Sequence, residues 1–348
     1  MRFGYPVAVA LVLAVISPPT ASAATCTWTP TPLPLPAGMT TGEVRAADSQ
    51  GGYAGQVAPA PTAPDWSTHV VRWSGGAVTD YGTVPGFGPF ASVTGANGSG
   101  VVVGSTYAAA TAHDQAFRSV GTALRPLPEP AGATDSWATA VNDGGDVVGY
   151  VARTRTTGGS SQVVHVAVLW PANAPGTVVE LTGLPTTGHT EASGVDQDGT
   201  ILVEHFTGSP FTGDATALYL WRAGTARALP VPAGTSAVAG NAISAGRVVG
   251  ASTYSTNRPT GALWEQGGTF AVPTASTRMS SVNRTGQSVG YKEGSFLSVT
   301  YSVWQGTAKV GSFPGGGALL VSADNGTVAG WTRADPNAQV RPAYFRCL

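Results

Sequence analysis

Residues 138–150 read Ala-Thr-Ala-Val-Asn-Asp-Gly-Gly-Asp-Val-Val-Gly-Tyr: an alternating apolar–polar run, a polar break, and a second apolar run. Period-two alternation over so few residues predicts two short strands. The Asn-x-x-Gly between them supplies the turn, because an Asn side chain can bond its own backbone two residues on and Gly accepts positive φ. After a gap of variable length, Val168-Leu169-Trp170 reads as the end of a third strand. Leu181-Thr-Gly-Leu184-Pro185 then reads as an edge-like fourth strand closed by proline.

The turn element recurs at residues 48–55, 97–104, 142–149, 196–203, 243–250, 283–290 and 323–330. Its inner glycine stands in every copy, as Gly51, Gly100, Gly145, Gly199, Gly246, Gly286 and Gly326. Val203 replaces the closing glycine of one copy, and Ile243 and Ala323 replace the turn Asn or Asp of two others. The third-strand element follows as Trp73, Arg118, Trp170, Trp221, Trp264, Trp304 and Arg346. Four short strands per repeat is the pattern of a propeller blade, so the chain is expected to form a single all-β, seven-bladed β-propeller of four-stranded blades over residues 24–348. Tryptophans that recur with the period of the fold are expected to pack between blades rather than to form a sugar-stacking row.

The chain ends split a repeat. The seventh copy stops after its third strand at Tyr344-Phe345-Arg346, and the missing fourth strand stands at the other end as Trp28-Thr-Pro-Thr-Pro-Leu33-Pro-Leu-Pro36. Pairing the two would close the ring and bring Cys26 beside Cys347, the only two cysteines of the chain. Residues 1–23 read as a secretory signal: Arg2, an apolar run from Val7 to Ile16 and the Ala21-Ser22-Ala23 cleavage site. In an exported chain a Cys26–Cys347 disulfide is expected to persist. The apolar run is too short to span a bilayer, and no later run is long enough, so no membrane insertion is expected after cleavage.

Composition narrows the partners. Charged residues make up 11% of the chain and the net charge is −1, without the basic footprint that nucleic-acid binding needs. The spread of Ala-x-x-Val-Asn-x-x-Gly-x-Val-Val-Gly, Leu-Trp and Leu-x-x-Leu-Pro over residues 44–347 resembles the HAF-repeat family of bacterial extracellular proteins. His69-Val-Val and Gln115-Ala-Phe are the nearest forms of the name-giving His-Ala-Phe. The resemblance implies a secreted, propeller-like protein of largely unknown activity and supplies no catalytic residues.

Length variation concentrates in the connections between strands two and three and between blades, which a propeller gathers on one face. Variable loops on a repetitive scaffold are the usual seat of binding. Trp66, Phe87, Phe90, Trp137 and Phe206 are candidates for a sugar- or peptide-binding platform there, or else for loop anchors folded over the blade tops. His189 with Glu191, and Glu204 with His205, lie in the same loops and could ligate a metal across the channel, although no ligand spacing marks them as a metal site.

Other motifs dissolve on inspection. Leu184-Pro-Thr-Thr-Gly188 matches a sorting signal but is internal and coincides with the Leu-Pro of the repeat. Ser322-Ala-Asp324-Asn-Gly326 starts like an Asp-box, with Trp331 two residues late. Asp196-Gln-Asp198-Gly199 and Asn142-Asp143-Gly-Gly-Asp146 look like calcium loops but lack the distal carboxylate, and three formal glycosylation sequons also fall in repeat turns. The five histidines are scattered singly, and there is no G-x-S-x-G elbow. The expectation is therefore a secreted, monomeric binding module for an extracellular carbohydrate or protein, with no cofactor and no metal. The alternative is a polysaccharide-active enzyme, a lyase or glycoside hydrolase, with its site at the central channel. A structural envelope component is a third reading, favoured by a featureless loop face.

Overall fold

The computed structural model describes residues 27–157, 159–210, 215–254, 258–294, 298–313, 316–335 and 337–347. Residues 1–23, read above as a secretory signal, and Cys26 lie outside these residues. The described residues form seven four-stranded antiparallel sheets. In chain order the blades occupy residues 41–82, 90–126, 133–180, 189–228, 235–271 and 278–312. The seventh combines residues 317–347 with Trp28–Pro32. The first strands contact one another in a closed cycle, the seventh touching the first, so they line a central channel. The molecule is a seven-bladed β-propeller.

The seventh blade is completed from both ends of the chain, as the split repeat implied. Trp28–Pro32 runs antiparallel to Arg341–Cys347, with Trp28 opposite Cys347 and Pro32 opposite Ala343. The Leu33 N–H continues the ladder to the Pro342 carbonyl. N–H groups of odd-numbered residues thus point inward, and those of even-numbered residues would point to the open edge. Pro30 and Pro32 stand there, so that edge lacks two donors.

Apolar burial is divided into seven clusters, one at each blade junction. At five junctions the third-strand tryptophan crosses the gap. Trp73 Nε1 donates to the Pro34 carbonyl, Trp170 to Pro128, Trp221 to Thr182, Trp264 to Pro230 and Trp304 to Thr274, at 2.7–2.9 Å. Each acceptor lies just past the outer strand of the preceding blade. All five tryptophans are buried, so they are packing residues and not a stacking row. The Leu-Pro signature falls slightly later than expected: strand four is short, as Val179–Glu180 or Thr225–Ala228, and the buried Leu181 and Leu229 follow it.

The polar turns also tie blades together. Asn97 accepts the Val101 N–H on Oδ1 and donates from Nδ2 to the Asn142 carbonyl of the next blade, and Asn283 reaches the Ala323 carbonyl in the same way. Asn142 caps its own turn in this way through the Asp146 N–H, whereas the Asp196 carboxylate accepts the Gln197 N–H and the Ala245 and Gly246 N–H groups of blade five; both are buried in the repeat turn. Ile243 is not a turn residue: it pairs with Val248 at the end of the first strand of blade five. Every first strand carries a one-residue bulge, at Arg45, Thr94, Thr139, Ser193, Asn241, Ser280 and Leu320. The closing glycine sits beside this bulge. A Cβ on Gly149 would collide with the Trp137 carbonyl oxygen, and one on Gly104 with that of Ser92.

Candidate functional site

The bulged residues ring the central channel, where they line a cavity of ≈ 260 Å³. Their polar atoms are largely used within the ring. Thr94 Oγ1 donates to the Ala138 carbonyl at 2.7 Å, Thr139 Oγ1 to Ala192 at 2.6 Å and Asn241 Nδ2 to Met279 at 2.6 Å. Arg45 is paired with Glu43 at 2.6 Å. Toward the turn end, Asp143 accepts the Gly98 N–H and Asp324 the Arg284 N–H. The channel carboxylates Asp143 and Asp324 thus stitch blades together, and among the described residues of the channel lining no histidine joins them to make a concentration of acid–base groups.

Such a concentration occurs instead in the cleft between blades three and four, toward the loop face. Trp137 and Tyr150 are cross-strand partners, so their side chains share a sheet face, and their rings stack at 4.8 Å. His165 lies diagonal to Tyr150 on the third strand, with its ring 5.0 Å from Tyr150 and 5.5 Å from Trp137. Blade four supplies the other wall with the start of its first strand, His189–Val195. Glu191 Oε1 meets His165 Nδ1 at 2.6 Å, and the His165 backbone N–H donates to His189 Nδ1 at 3.1 Å. His165 is buried, whereas Trp137, Tyr150, His189 and Glu191 are half-buried.

This setting displaces the titrations. Burial first, and then His165, holds His189 below the ordinary imidazole value, consistent with a neutral ring whose Nδ1 accepts a hydrogen bond. Burial raises the Tyr150 phenol well above its usual range, and the carboxylates of Glu191, Asp114 and Glu204 push the same way. Tyr150 is therefore a hydrogen-bond donor at neutral pH and not a phenolate base.

Among the described residues, blade three also carries the longest paired hairpin. Val147–Thr157 pairs with Ser160–Trp170 out to Thr157 opposite Ser160, whereas the second strands of the other blades have five to eight residues. The extra residues project the hairpin about 10–15 Å above the loop face. Arg153 pairs with Glu180 at its base, and Arg155 donates to the Thr186 carbonyl.

The other candidate residues separate into distinct environments. Trp66 and Phe90 form a tilted pair at 5.5 Å above blades one and two, with Phe90 50% exposed. Phe87 is half-buried against the blade one–two core and lies 6.5 Å from His113. Phe206 belongs to no platform: it is buried in the blade four–five core, at the inward-facing end of its strand. His205 is buried as well, and its Nε2–H donates to the Thr187 carbonyl at 2.9 Å, which anchors a loop. Glu191 meets His165 and Glu204 accepts the Gly240 N–H of blade five, so these carboxylates serve blade junctions rather than facing one another across the channel. Tyr150 and His165 are the members of the cluster that sequence reasoning missed. The loop residues 211–214 and 255–257 lie outside the described residues.

No family model matches the chain, and no curated protein matches it. Solved structures do. An acylaminoacyl peptidase from Pyrococcus horikoshii superposes with a TM-score of 0.55 at 11% identity, covering 89% of this chain and 50% of the peptidase. A puromycin-hydrolyzing peptidase from Mycobacterium tuberculosis gives 0.52 at 12% identity, covering 94% and 53%. TolB from Acinetobacter baumannii gives 0.45 at 12% identity, covering 79% and 67%. The chain thus spans about half the length of either peptidase, and at such identity the likeness concerns the propeller fold alone.

Proposed function

We propose that the protein is a secreted binding module, akin to the HAF-repeat proteins it resembles, that engages an extracellular carbohydrate through its loop face. The carrying observation is the blade three–four cleft. There a stacked Trp137–Tyr150 pair, a Tyr hydroxyl that stays protonated and a His165–Glu191 pair stand under the one projecting hairpin. An aromatic face beside a few convergent polar groups suits the C–H face and hydroxyls of a sugar. Export and a Cys26–Cys347 bridge belong to the same reading. The bridge is supported by the Trp28–Cys347 register and by the lack of a free cysteine among the described residues.

A hydrolytic or eliminative reaction on a polysaccharide is the second reading, and one observation favours it: the short His165–Glu191 hydrogen bond next to Tyr150 provides a base and a donor together. One experiment separates the two. The mature chain is incubated with a panel of bacterial and plant polysaccharides, with and without EDTA, and thermal shift is read beside release of reducing or unsaturated ends. A shift without release, lost in Trp137→Ala, supports the binding module. Release of ends replaces it with the enzyme, and silence on both readouts, against a folded protein, removes both.

A further inference from the structure

Blade five departs from the other six at one point. Four residues, 244–247, separate the paired Ile243 and Val248, whereas the equivalent turns of the other blades hold five. Blade four reaches into the vacated space. The buried Asp196 carboxylate takes the N–H groups of Ala245 and Gly246 at 3.0 and 2.6 Å, so both its oxygens are occupied by backbone donors. Beside it, on the turn face opposite the loop site, lies a cavity of ≈ 620 Å³ between blades four, five and six.

Its walls carry three guanidinium groups. Arg222 is paired with Asp198 at 2.7 Å, and Arg284 reaches Asp324 at 3.3 Å and Asp143 at 3.8 Å. Arg227 has no carboxylate partner among the described residues. Its Nη1 lies across the junction against Gly268, where an added Cβ would stand 3.2 Å away. The remaining lining is mostly uncharged and includes Leu220, Thr225 and Gln266, whose amide N–H is already given to the Ala245 carbonyl.

We infer that this cavity is a second binding site, for the carboxylate of a short uronate-type saccharide. A planar guanidinium fork matches a carboxylate, and Arg227 is the one without a competing anion. The Thr225 hydroxyl and the Gln266 carbonyl oxygen suit sugar hydroxyls, and Leu220 suits a pyranose C–H face. A bare inorganic anion would occupy a small part of such a volume, which falls in the range of small-molecule sites.

The test is calorimetric titration of the full mature chain with trigalacturonate, uncharged galactotriose and sodium sulfate. Trigalacturonate is expected to bind, more weakly as salt rises, and galactotriose to bind far less. Arg227→Glu, on an exposed strand position, is expected to leave the melting temperature unchanged and to weaken the acidic sugar at least about tenfold. Thr225→Trp, which fills the cavity without altering charge, is expected to do the same. Absence of trigalacturonate binding, or binding indifferent to both substitutions, overturns the site. Sulfate binding as tightly as the sugar with the same Arg227 dependence overturns the saccharide assignment. Loop-face variants such as Trp137→Ala leave this titration unchanged, so the outcome is independent of the reading given for that face.

Discussion

At the scale of single residues, two histidines make opposite statements about pH. His189 is held below its ordinary value, so the unfolded chain takes up the proton first. The stability it lends is complete above about pH 6.5 and is lost as pH falls toward the folded value. For His113, burial works against the charged form, but the hydrogen bond to the Thr134 carbonyl and the charge of Glu129 outweigh it and raise the value. Its contribution is present in acid and lost as pH rises through the folded value. With His113→Gln as background, melting temperature should fall between pH 7 and 5 and fall less once His189→Asn is added. The Asn keeps an acceptor for the His165 N–H but cannot titrate, and an unchanged slope would remove the role given to His189. Gly149 illustrates a harder constraint. Because its Cβ would meet the Trp137 carbonyl oxygen, Gly149→Ala should be severely destabilised, and a soluble variant with wild-type melting would contradict the packing described.

At the scale of elements, each tryptophan clamp couples a third strand to the blade before it. Trp264→Phe keeps most of the apolar volume but leaves the Pro230 carbonyl without its donor, for a loss on the order of 2–3 kcal/mol in chemical denaturation. If the indole N–H contributes nothing, Trp264→Phe and wild type will share one midpoint. These elements were legible in the chain because their chemistry is local: an Asx residue, a positive-φ glycine and a Trp recur at set offsets whatever the neighbours are. The candidate site was legible only in part. Trp137, His189 and Glu191 were picked out, but Tyr150 and His165 join them through a cross-strand pairing and a diagonal, and Glu191 arrives from the next blade. None of those meetings has a signature in one repeat. Phe206 was misplaced for a related reason, because the side to which a last strand residue points is set by packing. Aligned on the closing position of the repeat, it shares a column with the buried Ala58 and Ala152 but also with the exposed Tyr107 and Glu293, so the column itself carried no signal of burial.

At the scale of the whole molecule, stability depends on the join of the two chain ends. Seven junction cores make a ring in which each blade is supported from both sides, and the seventh is supported only if Trp28–Pro32 finds Arg341–Cys347. A Cys26–Cys347 bridge would add up to about 5 kcal/mol by restricting the unfolded chain. Reduction, or Cys347→Ser, should therefore lower the melting temperature of residues 24–348 without altering their β-sheet circular dichroism. Equal melting with and without reductant would remove the bridge from the account.

The proline-bearing strand has a consequence in time. A polypeptide made from its N-terminus exposes residues 28–32 long before residues 341–347 exist. An unpaired strand in that interval is an invitation to neighbouring chains. With Pro30 and Pro32 on the side that stays open, that flank of the waiting strand keeps only the Trp28 N–H as a donor, and the flank reserved for the last strand is the more adhesive. Nascent chains are thereby steered away from one another until the polypeptide can find its own tail.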